Sequence, residues 1–541
     1  MANHHFIDQS PIWQALGKHQ ESFQHKQLKD LFAEDSERGS RFSAEAAGVY
    51  FDYSKNPVTE ATLSLFEELV STVELERHIT ELFSGAMVNQ SEQRPALHPA
   101  LRQNREHSRL HDPALTQSIQ ASLEHMLDFA EALRAGSVLG SSGQTITHVV
   151  NLGIGGSDLG PRLAVNALAG NDSQPVQVYF VANIDSDDLQ SSLEHCEPER
   201  TLFIVSSKSF STQETLSNAE LAKVWLQTAG IKEDKLKTHF AAVTSQPEKA
   251  LSWGIARHQV HTIGDWVGGR FSLWSAMGLP VAIALGSSRF KELLAGAAAM
   301  DDNFQHAPLR ENLALLHGLI NIWHINFWGC KSRAILPYVH KLQKLPNYIQ
   351  QLVMESLGKR VTQTGEALNI ATGQVIWGSE ETNGQHSFHQ LLLQGVERIP
   401  ADFIVTQRPH CAVDQHRQLY ANCVAQSQAL MMGTMDLGSD QHREPQHQTV
   451  PGDQPSNTLI LDELSPHCLG ALLALYEHSV FIQSAAWGIN AFDQWGVEFG
   501  KQLGLSVAKS LSITNPDSAP KTSTGYDDST WELIRRYHSR T

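Results

Sequence analysis

Residues 206–215 read Ser206-Ser207-Lys208-Ser209-Phe210-Ser211-Thr212-Gln213-Glu214-Thr215, several hydroxyls around one lysine. They follow the apolar run TLFIVSS and precede a helical pattern, so they stand at the carboxyl end of an expected parallel strand, where open α/β sheets bind ligands. Hydroxyl and backbone donors with one cation suit a phosphate monoester. A Ser/Thr-rich helix cap is the plain alternative, common for two such residues and strained as an account of five. A second segment, THVVNLGIGGSDLGP (147–161), pairs a strand with a glycine turn. Gly153, Gly155 and Gly156 let the backbone approach a ligand, and Ser157 and Asp158 are suited to cap a helix running through Leu168. Free N–H groups at such a helix start attract anions. The turn lacks the Gly-Lys-Ser/Thr ending of a P-loop and is not GxGxxG, so neither nucleotide fingerprint is met.

Three further stretches add proton chemistry. In Val267-Gly268-Gly269-Arg270 the double glycine permits close approach and Arg270 can face a developing oxyanion, or form a structural ion pair. Glu355 lies among apolar neighbours in QLVMESLGK, beside Gln351, a setting that suits a general base; a solvated helix glutamate is the bland reading. His386, in GSEETNGQHSF, is an imidazole suited to acid–base work near neutrality. Residues 476–504 read as one long helix, placing Gln494 and Lys501, seven apart, on one face.

These residues need a scaffold. Apolar, nearly continuous runs at 147–152, 176–184, 201–207 and 239–245 fit strands buried on both faces of a parallel sheet. A second alternating region holds candidate strands at 332–339, 402–407 and 456–464. The expected division is a mainly helical N-terminal region (1–111), a first α/β domain (112–285), a helical connector (286–309), a second α/β domain (310–504) and a C-terminal tail (505–541). Residues 59–83 carry helical spacing, and 82–102 read as a long ordered loop whose Arg94 and His98 could face a cleft but are expected at the surface.

The 541 residues, 41% hydrophobic, suffice for two or more domains. Fifty-eight acids against 41 Lys and Arg leave a net charge of −17, which argues against nucleic acid or an anionic membrane as partner. Five scattered cysteines without CxxC suggest free thiols in a reducing compartment. No export signal and no apolar run of about 20 residues is seen, so a cytoplasmic protein is expected. His107 and His111 have ligand spacing, but nothing completes an HExxH pattern, and no metal site is expected.

GIGGSDLGP, SKSFSTQET, VGGRFSLWSAMGLP, QLVMESLGK, TNGQHSFHQLLLQG and INAFDQWGVEFGKQLG together resemble, in order, the signatures of the phosphoglucose (glucose-6-phosphate) isomerase family. The resemblance spans roughly 82–504. It implies two sugar-isomerase (SIS) domains, each a mainly parallel sheet between helices (three-layer αβα), and a homodimer with the active site at its interface. It implies reversible conversion of glucose 6-phosphate to fructose 6-phosphate through ring opening and a cis-enediol(ate), a step of glycolysis and gluconeogenesis. Gly156, Ser157, Ser207, Lys208, Ser209 and Thr212 match the family's phosphate pocket. Glu355 matches its base, His386, supplied across the interface, and Lys501 its ring-opening residues, and Arg270, Gly269, Gln351 and Gln494 further substrate contacts. No cofactor is implied. Ser209 and Ser211 stand where threonine is common, Leu357 replaces a frequent asparagine, and Glu380-Glu381 replace a frequent Pro-Gly. A sugar-phosphate sensor of the same domain type would need the phosphate segments but not Glu355, His386 and Lys501 together.

Overall fold

A computed structural model describes residues 6–103, 110, 112–170, 175–409, 411–434, 445–512 and 525–538. Two sheets organise it, both of the mainly parallel, helix-covered kind. In chain order, β1 (Ser43–Ala46) and β2 (Val49–Asp52) form a hairpin, and β3 (His148–Leu152), β4 (Gln177–Val181), β5 (Thr201–Ser206), β6 (Phe240–Thr244) and β7 (Val260–Thr262) follow. Then come β8 (Ser332–Pro337), β9 (Val375–Trp377), β10 (Ala401–Thr406) and β11 (Ser456–Leu461).

The first sheet, ordered β4-β3-β5-β6-β7, is parallel throughout. Its register aligns Leu152 with Val181 and Val205, so the chain leaves neighbouring strands at one level. That alignment brings the 153–158 and 207–212 segments to a common edge. Every residue of β5 and β6 is buried, as continuous apolar runs require of strands covered on both faces.

The second sheet, ordered β1-β2-β11-β10-β8-β9, is parallel through β11, β10, β8 and β9. The N-terminal region, expected to be mainly helical, supplies its hairpin: β2 runs antiparallel to β11, pairing Phe51 with Leu459. Alternate burial of Val49 and Phe51 marks this edge as a half-covered strand, a period too short to read against the surrounding helices. The helix expected over 59–83 is two helices, Glu60–Thr72 and Leu75–Ser84, because Glu74 takes a left-handed conformation at φ 50°.

Helices Ser287–His306 and Pro466–Trp487 fill the interior. The second is apolar around nearly its whole circumference and buried along nearly its whole length. It ends at Gly488, whose positive φ of 65° permits Ile489 N–H to donate back to Ser484. The single helix expected over 476–504 is therefore broken. Gln494 precedes a separate helix, Trp495–Leu511, in non-helical conformation, so the seven-residue spacing to Lys501 does not put the two on one helical face.

By contacts the chain divides into a unit of Met1–Ala491 and one of Phe492–Thr541. The second carries helices Trp495–Leu511 and Asp528–His538, with the Tyr526 hydroxyl 2.8 Å from Ser506 and 3.1 Å from Ser510. All five cysteines are free thiols, and no helix among the described residues is long and apolar enough to cross a membrane.

Candidate active site

At the end of β3 the chain turns through Gly155–Ser157 and enters helix Leu159–Leu168. Gly156 lies against Gly269: a Cβ at Gly156 would sit 2.1 Å from the Gly269 carbonyl oxygen and 2.9 Å from the Arg270 nitrogen. Only hydrogen fits at Gly156, whereas a Cβ at Gly269 would meet nothing within 4 Å, so the close approach explains the glycine of the first loop. Buried polar groups brace the turn from below. Ser206 Oγ donates to Asn151 Oδ1 at 2.7 Å, and Asn151 Nδ2 donates to the Ser157 carbonyl at 3.1 Å. The helix begins where the sequence places it, but the expected side-chain cap is absent. Asp158 instead pairs with Arg162 one turn on, at 2.8 Å.

The second arm follows β5. Ser207 and Thr212 hydroxyls lie 3.0 Å apart, Ser211 Oγ donates to Ser209 Oγ at 2.8 Å, and Lys249 Nζ donates to the Ser209 carbonyl at 3.0 Å. Phe210 takes a left-handed conformation (φ 47°) with its ring buried edge-on against Trp253. This is a strained position for a bulky residue, held by its packing. Lys208 reaches across to the neighbouring loop, donating to the carbonyls of Asp265 (2.6 Å) and Val267 (2.8 Å). Burial, then the nearby charge of Arg94, lowers the Lys208 ammonium to about 8.

That neighbouring loop holds Arg270, which is almost wholly buried. Its Nε donates to Ser356 Oγ at 2.6 Å, its Nη2 to the Ala491 carbonyl, and its Nη1 lies 3.7 Å from Glu355 Oε2. The guanidinium is thus fixed from two sides with one edge turned to the carboxylate. Glu355 keeps partial solvent access, its side chain 21% exposed. It ends a π turn, Gln351–Glu355, which widens the helix begun at Leu345–Gln350. Such widened turns recur at functional sites. The same turn brings Gln351 to the glycine loop, its Nε2 3.1 Å from where a Gly155 Cβ would sit.

His98 is a correction. Expected at the surface, it is 2% exposed and stacks on Phe271 with ring centroids 4.6 Å apart. Burial, then the charges of Arg102, His478 and Arg270, hold it well below the ordinary imidazole value. Arg94 is only partly exposed, with Nη1 donating to the Asp265 carbonyl at 2.7 Å. Sequence reading also missed Asn151, Ser356 and the Ala491 carbonyl. Asn151 alone left a signal, a carboxamide inside an apolar strand.

Gly156, Ser157, Ser207, Lys208, Ser209, Thr212, Gly269, Arg270, Gln351 and Glu355 therefore lie on loops and turns knit together by these contacts. His386 stands apart on the turn Asn383–His386 and is exposed. Beside it, Gln385 Nε2 donates to the Tyr338 hydroxyl at 2.9 Å. Glu381 is buried, 3.1 Å from His389 Nε2, and accepts the Gln385 backbone N–H at 2.9 Å; Glu380 pairs with His340. The acidic pair thus has partners of its own, one on the turn His340–Leu342 and one on the helix His389–Gln394. Leu357 is fully buried. Gln494 and Lys501 belong to the second unit, where Lys501 Nζ lies 2.8 Å from Glu498. His107 and His111 lie outside the described residues.

Two mainly parallel sheets between helices, with glycine and hydroxyl loops gathered at a strand edge, define an α/β protein of the class that binds ligands at the carboxyl ends of its strands. The family model described as Phosphoglucose isomerase matches residues 52–534, and the chain belongs to that family. A glucose-6-phosphate isomerase of Saccharophagus degradans is 45% identical over 97% of this chain and 96% of its own length. One of Shewanella halifaxensis is 44% identical over 94% and 95%. The crystal structure of a glucose-6-phosphate isomerase from Chlamydia trachomatis superposes with a TM-score of 0.85 at 31% identity, covering 99% of this chain and all of that one.

Proposed function

We infer that the chain is an aldose–ketose isomerase that interconverts glucose 6-phosphate and fructose 6-phosphate. The observation that carries this is the Glu355–Arg270 pair, 3.7 Å apart beside the contact of Gly156 with Gly269. Moving a proton between C1 and C2 needs a base that serves both carbons and a cation for the enediolate oxygen, and it needs neither a redox cofactor nor a metal. Glu355 is the base and Arg270 the stabiliser. The hydroxyls of Ser157, Ser207, Ser209 and Thr212, with the N–H groups at the Gly155–Ser157 turn and the Lys208 ammonium, hold the phosphate. Gln351, Gly269 and Gln494 position the sugar.

A closed sugar must open first, and His386 with Lys501 passes the proton at the ring oxygen. His386 acts in the site of a second copy, so the working form is a homodimer; its exposure on the single chain supports this. This reading takes SIS domains at 112–285 and 310–504, a division that the two mainly parallel sheets support, the second sheet also taking in the hairpin β1–β2; the protein works in the cytoplasm.

One set of proteins tests the reading. The wild-type chain forms fructose 6-phosphate from glucose 6-phosphate without added metal or nucleotide. Glu355→Gln loses about a thousandfold in exchange of the C2 hydrogen with solvent, followed by NMR in deuterium oxide, within the range of general-base contributions. Mixing inactive Glu355→Gln with inactive His386→Ala restores about a quarter of wild-type activity, since random two-fold dimers regenerate one intact site in each mixed pair. No recovery on mixing refutes the shared site, and Glu355→Gln activity within fivefold of wild type removes Glu355 as base.

A further inference from the structure

The turn at residues 89–94 has no role in the reading above, yet it touches the site from two directions. Its ends are tied by an antiparallel bridge between Asn89 and Arg94, with backbone hydrogen bonds of 3.1 and 3.2 Å. Inside it Asn89 Nδ2 donates to Glu92 Oε2 at 2.6 Å, and Arg94 Nη2 lies 3.0 Å from Glu92 Oε1. On one side Asn490 Nδ2 donates to Asn89 Oδ1 at 2.9 Å, and the next residue, Ala491, supplies the carbonyl that receives Arg270. On the other side Arg94 Nη1 donates to the Asp265 carbonyl at 2.7 Å, the same oxygen that receives Lys208 Nζ at 2.6 Å.

These contacts close a ring that runs from Arg94 through Asp265, Arg270, Ala491, Asn490 and Asn89 back to Arg94. The loop 264–271, with Gly269 and Arg270, is part of that ring. A carbonyl oxygen has two lone pairs, and here both are filled by cationic donors from different segments. Such charge-assisted bonds are about twice as strong as neutral ones. Lys208 uses two of its three N–H groups on Asp265 and Val267, so its ammonium position depends on where that loop is held.

We propose that Arg94 is a positioning residue for the ester cradle: by gripping the Asp265 carbonyl beside Lys208 it fixes loop 264–271, and with it the Lys208 ammonium. The proposal rests on the aldose–ketose reading of the site. The charged groups about Lys208 are Arg94, Glu92 and Asp265, with Lys249 bound nearby at the Ser209 carbonyl. Arg94 pushes the Lys208 proton off and the two carboxylates hold it on.

The test uses full-length Arg94→Ala and Arg94→Lys beside wild type, with KM, kcat, inhibition by inorganic phosphate and thermal midpoint measured from pH 7 to 9. Losing a hydrogen bond from a charged donor is worth about 1.5–3 kcal/mol, so Arg94→Ala raises KM and the phosphate inhibition constant about tenfold or more, with kcat lowered no more than about threefold. Arg94→Lys, keeping one cationic N–H, recovers most of that loss. In wild type, phosphate affinity falls above about pH 8 as Lys208 loses its proton. In Arg94→Ala that fall moves to higher pH, because a neighbouring positive charge is gone, a change that simple loss of folding stability does not produce. Unchanged KM and phosphate inhibition in Arg94→Ala overturn the proposal, as do equal losses in both variants with a lowered thermal midpoint and an unmoved pH profile. If wild type makes no fructose 6-phosphate, the underlying reading fails, and calorimetric binding of phosphate to wild type and Arg94→Ala still decides the role of Arg94.

Discussion

In the five-stranded sheet a buried, hydrogen-bonded polar pair sits where two strands end. Asn151 is the next-to-last residue of β3 and Ser206 the last of β5, and their hydrogen bonds lead upward into the glycine turn. In the six-stranded sheet a buried charged cluster sits where the strands begin. Arg333, Asp402 and Asn457 are each the second residue of β8, β10 and β11, and Asp402 stands opposite Asn457 in register. Asp402 accepts from Arg333 Nη1 (2.7 Å), Asn457 Nδ2 (2.8 Å), the Tyr476 hydroxyl (3.0 Å) and His317 Nε2 (3.1 Å). Burial alone would raise this carboxyl, but Arg333 and His317 more than offset it and hold it well below the usual range. Buried charge is therefore a poor guide to chemistry by itself. What separates the two clusters is the end of the sheet they occupy, because parallel strands present ligand-binding loops at their carboxyl ends.

The comparison breaks most visibly at Gly156. Gly156→Ala puts a methyl 2.1 Å from the Gly269 carbonyl, and one of the two loops must move. Overpacking of this kind costs about 1–3 kcal/mol of stability, and a displacement of about 1 Å near reacting groups costs about a hundredfold in rate. The expected result is a loss of kcat/KM of that order in a protein that still folds, read by steady-state kinetics beside circular dichroism.

Arg333→Met should show the reverse balance. Removing one member of a buried ion pair leaves the other charged and unpaired, at about 3–5 kcal/mol. Urea unfolding should register that loss while kcat/KM, measured where the variant is fully folded, stays near wild type. The sign with pH follows from Asp402. Its folded value is depressed, so its contribution is present above about pH 4 and lost as pH falls below that. Arg333→Met should flatten this acid-side slope. A large activity loss with little change in stability would join this cluster to the chemistry after all.

The sheets were legible because buried parallel strands write continuous apolar runs, and all seven of the longer strands fall within a residue or a few of the expected ranges. The hairpin β1–β2 and the three-residue strands β7 and β9 were not, since they are short edge pieces whose pairing is set by distant segments. The break at Gly488 had a readable cue, a glycine followed by Asn490 and Asp493, that the apolar pattern on either side outweighed. In the site, the residue types in the two loops gave the expectation of an anion, and two separate glycine pairs hinted at close approach. That Gly156 touches Gly269 is a tertiary fact with no local trace. The same holds for His98, whose burial depends on Phe271, 173 positions away, and for Arg94, whose partner carbonyl lies on the loop after β7.

The smallest expected effect sharpens the comparison furthest, because it separates bracing from mere burial within one sheet. Ser206→Ala removes the donor to Asn151 Oδ1 and leaves that buried oxygen unpaired, at about 1–3 kcal/mol. The other end of the same carboxamide holds the Ser157 carbonyl, so slack introduced at Ser206 reaches the glycine turn and KM should rise a few-fold, about 1 kcal/mol. Adding Asn151→Leu, nearly the same shape without polar atoms, removes the unpaired oxygen and should return most of the lost stability. It cannot return the hydrogen bond to Ser157. The double variant should therefore regain its thermal midpoint and keep the raised KM, whereas recovery of both would mean that the pair serves the sheet alone, as Asp402 and its partners do in the other one.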